Sequence, residues 1–266
     1  MDKWKVTLSQ RRPMPRHEQT AMPDVHGPAV SLLAILAHPD DESRIIGGTL
    51  AKYAAEGVAI ALYCATRGEA WLAGADPAEQ ITLRTAELAA ACQVLGITNV
   101  RLRDYPDGGL AQLDAAILVA DIVAYMRERA PQVMITFGLE GRTLHADHIA
   151  IHHAATQAFY LACEDTAPPA RLFYTAVPES IATAHGWRFP ATPDAEIAVS
   201  IDVTPWIAKK RAATVTAHAS QYHDKPFGNL DEATRWRVLS REDFVLAPGS
   251  DPLPAGERHD LFADLR

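Results

Sequence analysis

The sequence predicts a single α/β domain, built on a mostly parallel, twisted β-sheet with helices on both faces. Continuous apolar runs, such as residues 30–36 and 133–137, are typical of strands that are buried on both faces. These runs alternate with longer segments of helical periodicity, and the connections between them are short, which is the pattern of right-handed βαβ units. A length of 266 residues with 48% apolar residues fits one large domain with its own core.

The first half of the chain gives the clearest pattern. Gly57 and Gly96 each follow a predicted helix, and Pro131 lies just beyond a third, as expected of residues that end helices. The predicted strands are residues 30–36, 58–65, 99–102 and 133–137, and the predicted helices are residues 43–56, 77–95, 113–129 and 147–163.

The second half is less regular and richer in proline. It predicts strands at residues 171–177 and 196–203 and a helix at residues 205–220. The polar, proline-bearing residues 1–28 are predicted to be an N-terminal extension, residues 29–246 the folded domain and residues 247–266 a C-terminal tail.

Charge and composition exclude several classes of function. Lys and Arg total 25 against 33 Asp and Glu, a net charge of −8, so we expect no nucleic acid and no anionic membrane surface as a partner. The most apolar early run, residues 30–37, is far shorter than the roughly 20 residues of a membrane span. Three widely spaced cysteines form no CxxC pair, which argues against a disulfide framework or a thiolate zinc site. We therefore expect a cytoplasmic protein.

The segment that follows the first predicted strand holds an unusual concentration of ionisable residues. Residues 37–42 read AHPDDE, without the glycine-rich loop that an NAD or ATP site would require there. Like charges this close repel one another unless a cation is present. His38 and Asp41, three residues apart, can reach one metal ion, and imidazole with carboxylate suits Zn²⁺. The alternative is that Asp40 or Asp41 only caps the next helix.

A second cluster, HADH at residues 145–148, follows the strand predicted at residues 133–137. Parallel topology brings both strand ends to the same edge of the sheet. A site with His38, Asp41 and His148 as three ligands leaves one coordination position open for water, as in catalytic zinc sites. The alternatives are a solvated loop in which Asp147 caps a helix, and a metal-binding pair of His148 and His152. No glutamate lies between those two histidines, so the zinc-protease pattern fails.

Taken in order, these motifs resemble the LmbE-like (PIG-L-type) N-acetylglucosaminyl deacetylases over residues 30–160. The matching segments are AHPDDE at 37–42, TRGE at 66–69, RxxEL at 84–88, YPDG at 105–108 and HADH at 145–148, with a weaker echo, HASQ, at 218–221. The resemblance implies a Rossmann-like fold. It also implies a zinc-dependent amide hydrolase, with Fe²⁺ as the alternative metal, that removes the N-acetyl group from an N-acetylglucosamine-type sugar conjugate. Acetate and a free amine would be the products.

The resemblance also implies roles for individual residues. It makes His38, Asp41 and His148 the metal ligands, Asp40 the general base, and His145 the group that assists the oxyanion or the leaving group.

The remaining implied roles surround that centre. Arg67 and Asp107 would contact the sugar or its aglycone, and Asp147 would orient His145. Glu42 would cap a helix or support a ligand imidazole. His218 would line the site or lie on an ordinary helix face.

Several alternatives stay open at this stage. Arg67 could pair with Glu69 or Asp76, and Arg84 and Glu87 could form an ion pair at i,i+3. Residues 138–146 depart from the Gly-Gly-Xaa-Gly-His run of many family members, which leaves the substrate open. The other candidate functions are an amidase of thiol conjugates, a deacylase of N-acyl sugars in secondary metabolites, and a non-catalytic metal- or sugar-binding module. Family resemblance also implies a homo-oligomer, a trimer or hexamer.

Overall fold

The computed structural model describes residues 30–221 and 230–266, so the predicted N-terminal extension lies outside the described residues. The strands of the described residues form one seven-stranded sheet in the order β3-β2-β1-β4-β5-β7-β6. The first five strands in this order are parallel to one another, and β7 runs antiparallel to both β5 and β6. The predicted mostly parallel α/β sheet is confirmed. The strands are β1 (Ser31–Leu36), β2 (Ala59–Thr66), β3 (Asn99–Tyr105), β4 (Val133–Phe137), β5 (Arg171–Ala176), β6 (Val199–Asp202) and β7 (Arg241–Leu246).

The helices cover both faces of the sheet, as predicted. Helices α2, α3 and α8 contact one another, whereas α4 packs with α6, so the two groups occupy opposite faces as right-handed crossovers require. None of the helices in the two described ranges combines the length and apolar character that crossing a bilayer demands. The helices are α1 (Asp41–Arg44), α2 (Gly47–Ala55), α3 (Pro77–Leu95), α4 (Ala115–Arg129), α5 (Gly141–Leu144), α6 (Ala146–Ala162), α7 (Glu179–Ala184), α8 (Ile207–Arg211) and α9 (Glu232–Val238).

The helix predicted at residues 43–56 is in fact two helices, α1 and α2, with a break before Gly47. The backbone N–H groups of Gly48 and Thr49 donate to the carboxylate of Glu242, at 2.9 and 2.7 Å. The first N–H groups of a helix have no acceptor within the helix, so Glu242, which is distant in sequence, caps a new helix at this point. A Cβ on Gly48 would lie 2.4 Å from Val203, so only glycine allows α2 to pack this closely against that residue.

The central strands β1 and β4 lie side by side and are buried along their whole length, except for the partly exposed Ser31 at the start of β1. The chain builds the sheet outward from β1 in one direction through β2 and β3, and in the other direction through β4 and β5. A crevice forms at the carboxyl ends of the strands where this direction reverses, and ligands of open α/β sheets bind there. The segments AHPDDE and HADH follow β1 and β4 on either side of this crevice.

The second half departs most from prediction. The helix expected at 205–220 is divided into a 3₁₀ turn (Thr204–Trp206), α8, a π-helical segment (Ala212–Ala217) and another 3₁₀ turn (Ala219–Gln221). Sequence reasoning also missed α9 and β7. Strand β7 begins Arg-Glu-Asp, a polar start that hides the strand, although Glu242 is buried against Lys210.

Residues 247–266 pack onto the sheet through Arg171, at the start of β5. Its guanidinium is almost fully buried and donates to four backbone carbonyls and to the carboxylate of Asp264. Leu261 and Phe262 are fully buried in the core. This last segment is therefore part of the folded body.

Candidate active site

The side chains of His38, Asp41 and His148 meet at the carboxyl edge of β1 and β4. His38 Nδ1 lies 3.2 Å from His148 Nε2 and 3.5 Å from Asp41 Oδ2, and His148 Nε2 lies 3.4 Å from Asp41 Oδ1. In a tetrahedral zinc site with bonds of about 2.0–2.1 Å, neighbouring ligand atoms are about 3.3 Å apart. Two imidazoles and a carboxylate with this spacing fit one bound Zn²⁺ or a similar divalent ion.

Hydrogen bonds at the far side of each imidazole aim a lone pair at that centre. His148 Nδ1 lies 3.1 Å from the carbonyl of Gly141, and His38 Nε2 lies 3.1 Å from Asp107 Oδ1 and 3.2 Å from Asp147 Oδ2. Each of these nitrogens carries the N–H, so His148 Nε2 and His38 Nδ1 are free to bind a metal. Gly141 has φ +54, and a Cβ there would approach His148 Cβ to 3.0 Å, so glycine permits the close carbonyl.

The local charges favour an ionised carboxylate among the ligands. Burial by itself would raise the pKa of Asp41, but the nearby His148 and His38 lower it by a larger amount. The pKa of Asp41 therefore falls well below its usual range. Burial lowers the pKa of His148, which keeps that imidazole neutral and able to bind a metal. Burial also lowers the pKa of His38, but Asp107, Asp147 and Asp41 outweigh it and raise the pKa overall.

Asp40 stands beside the three ligands without joining them. Its backbone has φ 113 and ψ −24, a left-handed conformation that a residue with a side chain rarely adopts. Its N–H donates to Glu42 Oε2 at 2.9 Å, which holds that conformation, and its carboxylate accepts from Arg44 at 2.8 Å. Burial and the adjacent Asp41 raise the pKa of Asp40. The result is a fixed carboxylate with enhanced basicity next to the ligand set.

Asp147 supports His38, not His145. Its carboxylate accepts from the backbone of Gly108 at 2.7 Å and of Leu110 at 3.0 Å, in addition to its contact with His38. This carboxylate was expected to orient His145, but it binds the 108–110 turn that follows β3, and only the backbone N–H of Asp147 reaches His145. Asp107, expected to contact substrate, also lies against His38 and accepts from Ala70 N at 2.9 Å.

His145 lies at the open side of the centre. Its ring centroid is 4.6 Å from that of His148 and 4.9 Å from that of His38, and its side chain is exposed. His145 Nδ1 accepts the backbone N–H of Asp147 at 3.3 Å and so caps α6. The proton of the neutral ring therefore lies on Nε2.

Arg67 lies at the margin, away from the three ligands. Its guanidinium pairs with Asp104 and donates to Thr85 at 3.1 Å. The pairing with Glu69 or Asp76 considered from sequence is wrong, because β3 is longer than predicted and brings Asp104 alongside.

Arg84 supports the AHPDDE loop. It donates to the carbonyl of Pro39 and, at 3.0 Å, to that of Gly68. Glu87 instead accepts from Ser220 N at 2.7 Å and from its hydroxyl at 2.6 Å. The ion pair considered between Arg84 and Glu87 does not form, because each side chain binds a segment more distant in the sequence.

His218 and Glu42 form a buried pair beneath Asp40. His218 Nε2 lies 2.7 Å from Glu42 Oε1, and neither side chain has appreciable exposure. Glu42 thus joins His218 to the backbone of Asp40 and neither caps a helix nor contacts a ligand imidazole. The weak HASQ echo at 218–221 was the sequence signal for this support.

His152 faces the sheet. Its Nδ1 lies 2.8 Å from the carbonyl of Phe137, and burial lowers its pKa to about 4. This contact turns His152 towards the sheet, so the metal pair of His148 and His152 considered from the sequence is not formed. Three further histidines, His17, His26 and His223, lie outside the described residues.

A cavity of about 270 Å³ opens beside the ligands and gives access from solvent. It is large enough for part of a small-molecule ligand. Its lining residues are Asp40, Asp41, Arg44, Ile45, Arg142, Thr143, His148, Thr214 and Leu239.

Known proteins are similar to this chain in sequence. The family model described as PIG-L, GlcNAc-PI de-N-acetylase, matches residues 33–159. The 1D-myo-inositol 2-acetamido-2-deoxy-alpha-D-glucopyranoside deacetylase of Salinispora arenicola (strain CNS-205) is 34% identical over 287 residues, covering 88% of this chain and 91% of that protein. The protein of the same name from Rhodococcus jostii (strain RHA1) is 32% identical, covering 88% of this chain and 98% of that protein.

A solved structure is similar in fold. The conserved protein TT1542 from Thermus thermophilus has a TM-score of 0.64 and 26% identity, covering 85% of this chain and 98% of that one. Identity above 30% over 88% of the chain, together with the match across the segments that build the site, shows that the chain belongs to the PIG-L (LmbE-like) family.

Proposed function

We propose that this protein is a zinc-dependent hydrolase that removes the N-acetyl group from an N-acetylglucosamine-type sugar conjugate, releasing acetate and a free amine. The observation that carries the proposal is the triangle of His38, Asp41 and His148, with Asp40 held beside it and outside it. The acetamido-sugar deacetylases among the relatives support the substrate class. The restrained Asp40 favours an enzyme over a binding module, which needs no free carboxylate next to the ligands.

The donor set supports zinc as the resident metal, with Fe²⁺ as the alternative. Two imidazoles and one carboxylate suit both ions. When bound there, the metal would polarise the acyl carbonyl and lower the pKa of a bound water toward about 7.

The chain's own residues divide the remaining work. Asp40, with its raised pKa, is placed to accept a proton from the attacking water. His145 Nε2 carries a proton and faces the open side, so it can donate a hydrogen bond to the oxyanion that develops on the acyl oxygen. The proton held by Asp40 is then available to the leaving amine.

Substrate contacts are proposed on family resemblance. Arg67 would reach the sugar or aglycone from the margin of the site. Asp107 would do the same, in addition to holding His38.

The test combines metal analysis with deacetylase assays on N-acetylglucosaminides. Asp40→Asn suits the left-handed backbone, because asparagine tolerates that conformation, and removes the base. We expect the variant to retain its metal and to lose about 10²- to 10⁴-fold in kcat. Asp41→Asn is the matched control, and it should lose metal and activity together. Unchanged turnover in Asp40→Asn, or a native protein that binds no divalent metal, would contradict the proposal.

Family resemblance further supports a trimer or hexamer, and the composition of the sequence supports a location in the cytoplasm. Light scattering on the purified protein measures the assembly, and a monomer at micromolar concentration would reject that part of the proposal. Fractionation of the native host tests the location, and recovery outside the cytoplasm would reject it.

A further inference from the structure

A second cavity, of about 260 Å³, adjoins the catalytic cavity. The two share Ile45, Arg142 and Leu239 as lining residues. A third cavity, of about 280 Å³, also includes Arg142 in its wall. Arg142 therefore stands where three cavities meet, one of them containing the metal ligands.

The second cavity has an excess of positive charge once its ion pairs are taken into account. Lys210 pairs with Glu242 at 2.6 Å, and Arg241 pairs with Asp243 at 2.7 Å. These pairs engage both of the carboxylates in the lining. Arg142 and Arg237 also line the cavity, and neither has a carboxylate partner in residues 30–221 and 230–266.

Arg142 has no carboxylate partner among the residues that the structure describes. It makes no hydrogen bond or direct ion pair with any residue in ranges 30–221 and 230–266. Asp41, Glu242 and Asp243 lie near enough to influence its charge, but each is held by another partner. A half-buried guanidinium without a dedicated partner is costly unless a ligand supplies one.

The backbone fixes Arg142 in this position. It has φ 64 and ψ −47, a left-handed conformation that is unfavourable for arginine. The preceding residue, Gly141, gives its carbonyl to His148. The contact between Gly141 and His148 therefore also fixes the backbone from which the Arg142 side chain extends.

We propose that the second cavity is an aglycone subsite that binds an anionic group, a carboxylate or a phosphate, through Arg142. Arg237, an exposed cavity-lining residue, assists. The guanidinium presents paired N–H donors that match either anion. Val177, Trp187 and Phe244 add an apolar wall.

This inference rests on the proposed deacetylase function and narrows its substrate class. The substrate is an N-acetylated amino sugar whose aglycone has an apolar portion and ends in a negative charge.

Three synthetic N-acetylglucosaminides with aglycones of equal length provide the test, one ending in a methyl group, one in a carboxylate and one in a phosphate. We expect the wild-type enzyme to favour at least one anionic substrate over the neutral one by tenfold or more in kcat/KM, and the two anionic arms identify which group the subsite takes. Arg142→Asn suits the left-handed backbone and should lower that preference about tenfold, whereas Arg142→Lys should retain part of it. Arg237→Gln should lower it less. Arg127→Gln, an exposed arginine paired with Asp165 outside this cavity, is the control and should leave the preference unchanged.

A binding measurement separates this inference from the proposed function. The deacetylated amines with the same three aglycones are titrated into wild type and Arg142→Asn by calorimetry, which requires no turnover. Tighter binding of an anionic amine that is lost in the variant supports the subsite even if no substrate is hydrolysed. Equal affinity for all three amines in the wild type, or equal losses for neutral and anionic ligands in a folded Arg142→Asn, overturns it. Arg142→Gly, free of backbone strain, repeats the test if the asparagine variant does not fold.

Discussion

Residues 30–162 and residues 163–266 contribute to the site in different ways. The first region contains β1–β4 with long regular helices, and it provides the three proposed ligands, Asp40 and His145. The second contains the antiparallel edge of the sheet and a helix broken into short turns. The second region supplies supporting hydrogen bonds: His218 bonds to Glu42, Ser220 bonds to Glu87, and Glu242 caps α2. Reactive groups thus come from strand ends, and the contacts that fix them come from residues more than 130 positions away.

The largest expected effect tests whether the second region stabilises the fold. Lys210→Met leaves buried Glu242 without its cation, and removing one partner of a buried ion pair costs about 3–5 kcal/mol in the free energy of unfolding. Urea unfolding measures this loss. The double variant Lys210→Met/Glu242→Gln should recover part of it, because glutamine can still accept from the start of α2. A loss below about 1 kcal/mol in the single variant would mean that the second region stabilises the fold little through this pair.

The next effect belongs to the first region. Burial lowers the pKa of His152 to about 4 from an ordinary value of 6.5, so the folded protein holds the imidazole neutral. The unfolded chain takes up the proton first as the pH falls. The stabilisation is therefore complete above pH 6.5 and is lost progressively down to about pH 4, by ~3 kcal/mol in all.

Urea unfolding of wild type and His152→Asn between pH 4 and 7 checks this loss. Asparagine keeps a donor for the Phe137 carbonyl but does not titrate. The fall in stability across this range should be smaller in the variant by about the same ~3 kcal/mol. Parallel pH curves for the two proteins would show that His152 is not the group responsible.

The smallest effect links the two regions directly. His218→Leu removes the hydrogen bond to Glu42 and so loosens the backbone of Asp40. A hydrogen bond to a charged group is worth about 1.5–3 kcal/mol, so kcat should fall about tenfold or more while KM and metal content change little. His218→Gln keeps a donor and should restore part of the rate. If leucine and glutamine variants lose kcat equally, or if KM alone rises, His218 does not act through Glu42.

The sequence predicted the first region well because its signals are local. Buried parallel strands need continuous apolar runs, and the helix at 77–95 was predicted with its observed ends because Pro77 and Gly96 mark them. The second region depends on distant contacts. Strand β7 begins with the exposed Arg241, and its next residues, Glu242 and Asp243, are buried because Lys210 pairs with the first and Arg241 with the second. Helix α2 begins where Glu242 caps it. Neither the pair of Lys210 with Glu242 nor this cap leaves a pattern in the adjacent sequence.

The candidate site divides in the same way. Strand order places AHPDDE and HADH together, so sequence could anticipate the meeting of His38, Asp41 and His148. The partners of Asp147 and Arg67 could not be anticipated, because they depend on the length of β3 and on the turn that follows it. Arg142 gave no signal either, since its importance lies in the cavities around it.

The long span between Glu42 and His218 has a consequence for the order of synthesis. The two residues are 176 positions apart, and at 5–20 residues per second a ribosome needs roughly 10 to 35 s to make the intervening chain. The AHPDDE loop leaves the ribosome long before its support exists. A nascent chain can therefore form the central strands and carry every proposed ligand while the reactive carboxylate is still unrestrained, so competence for catalysis arrives only after His218 has been made.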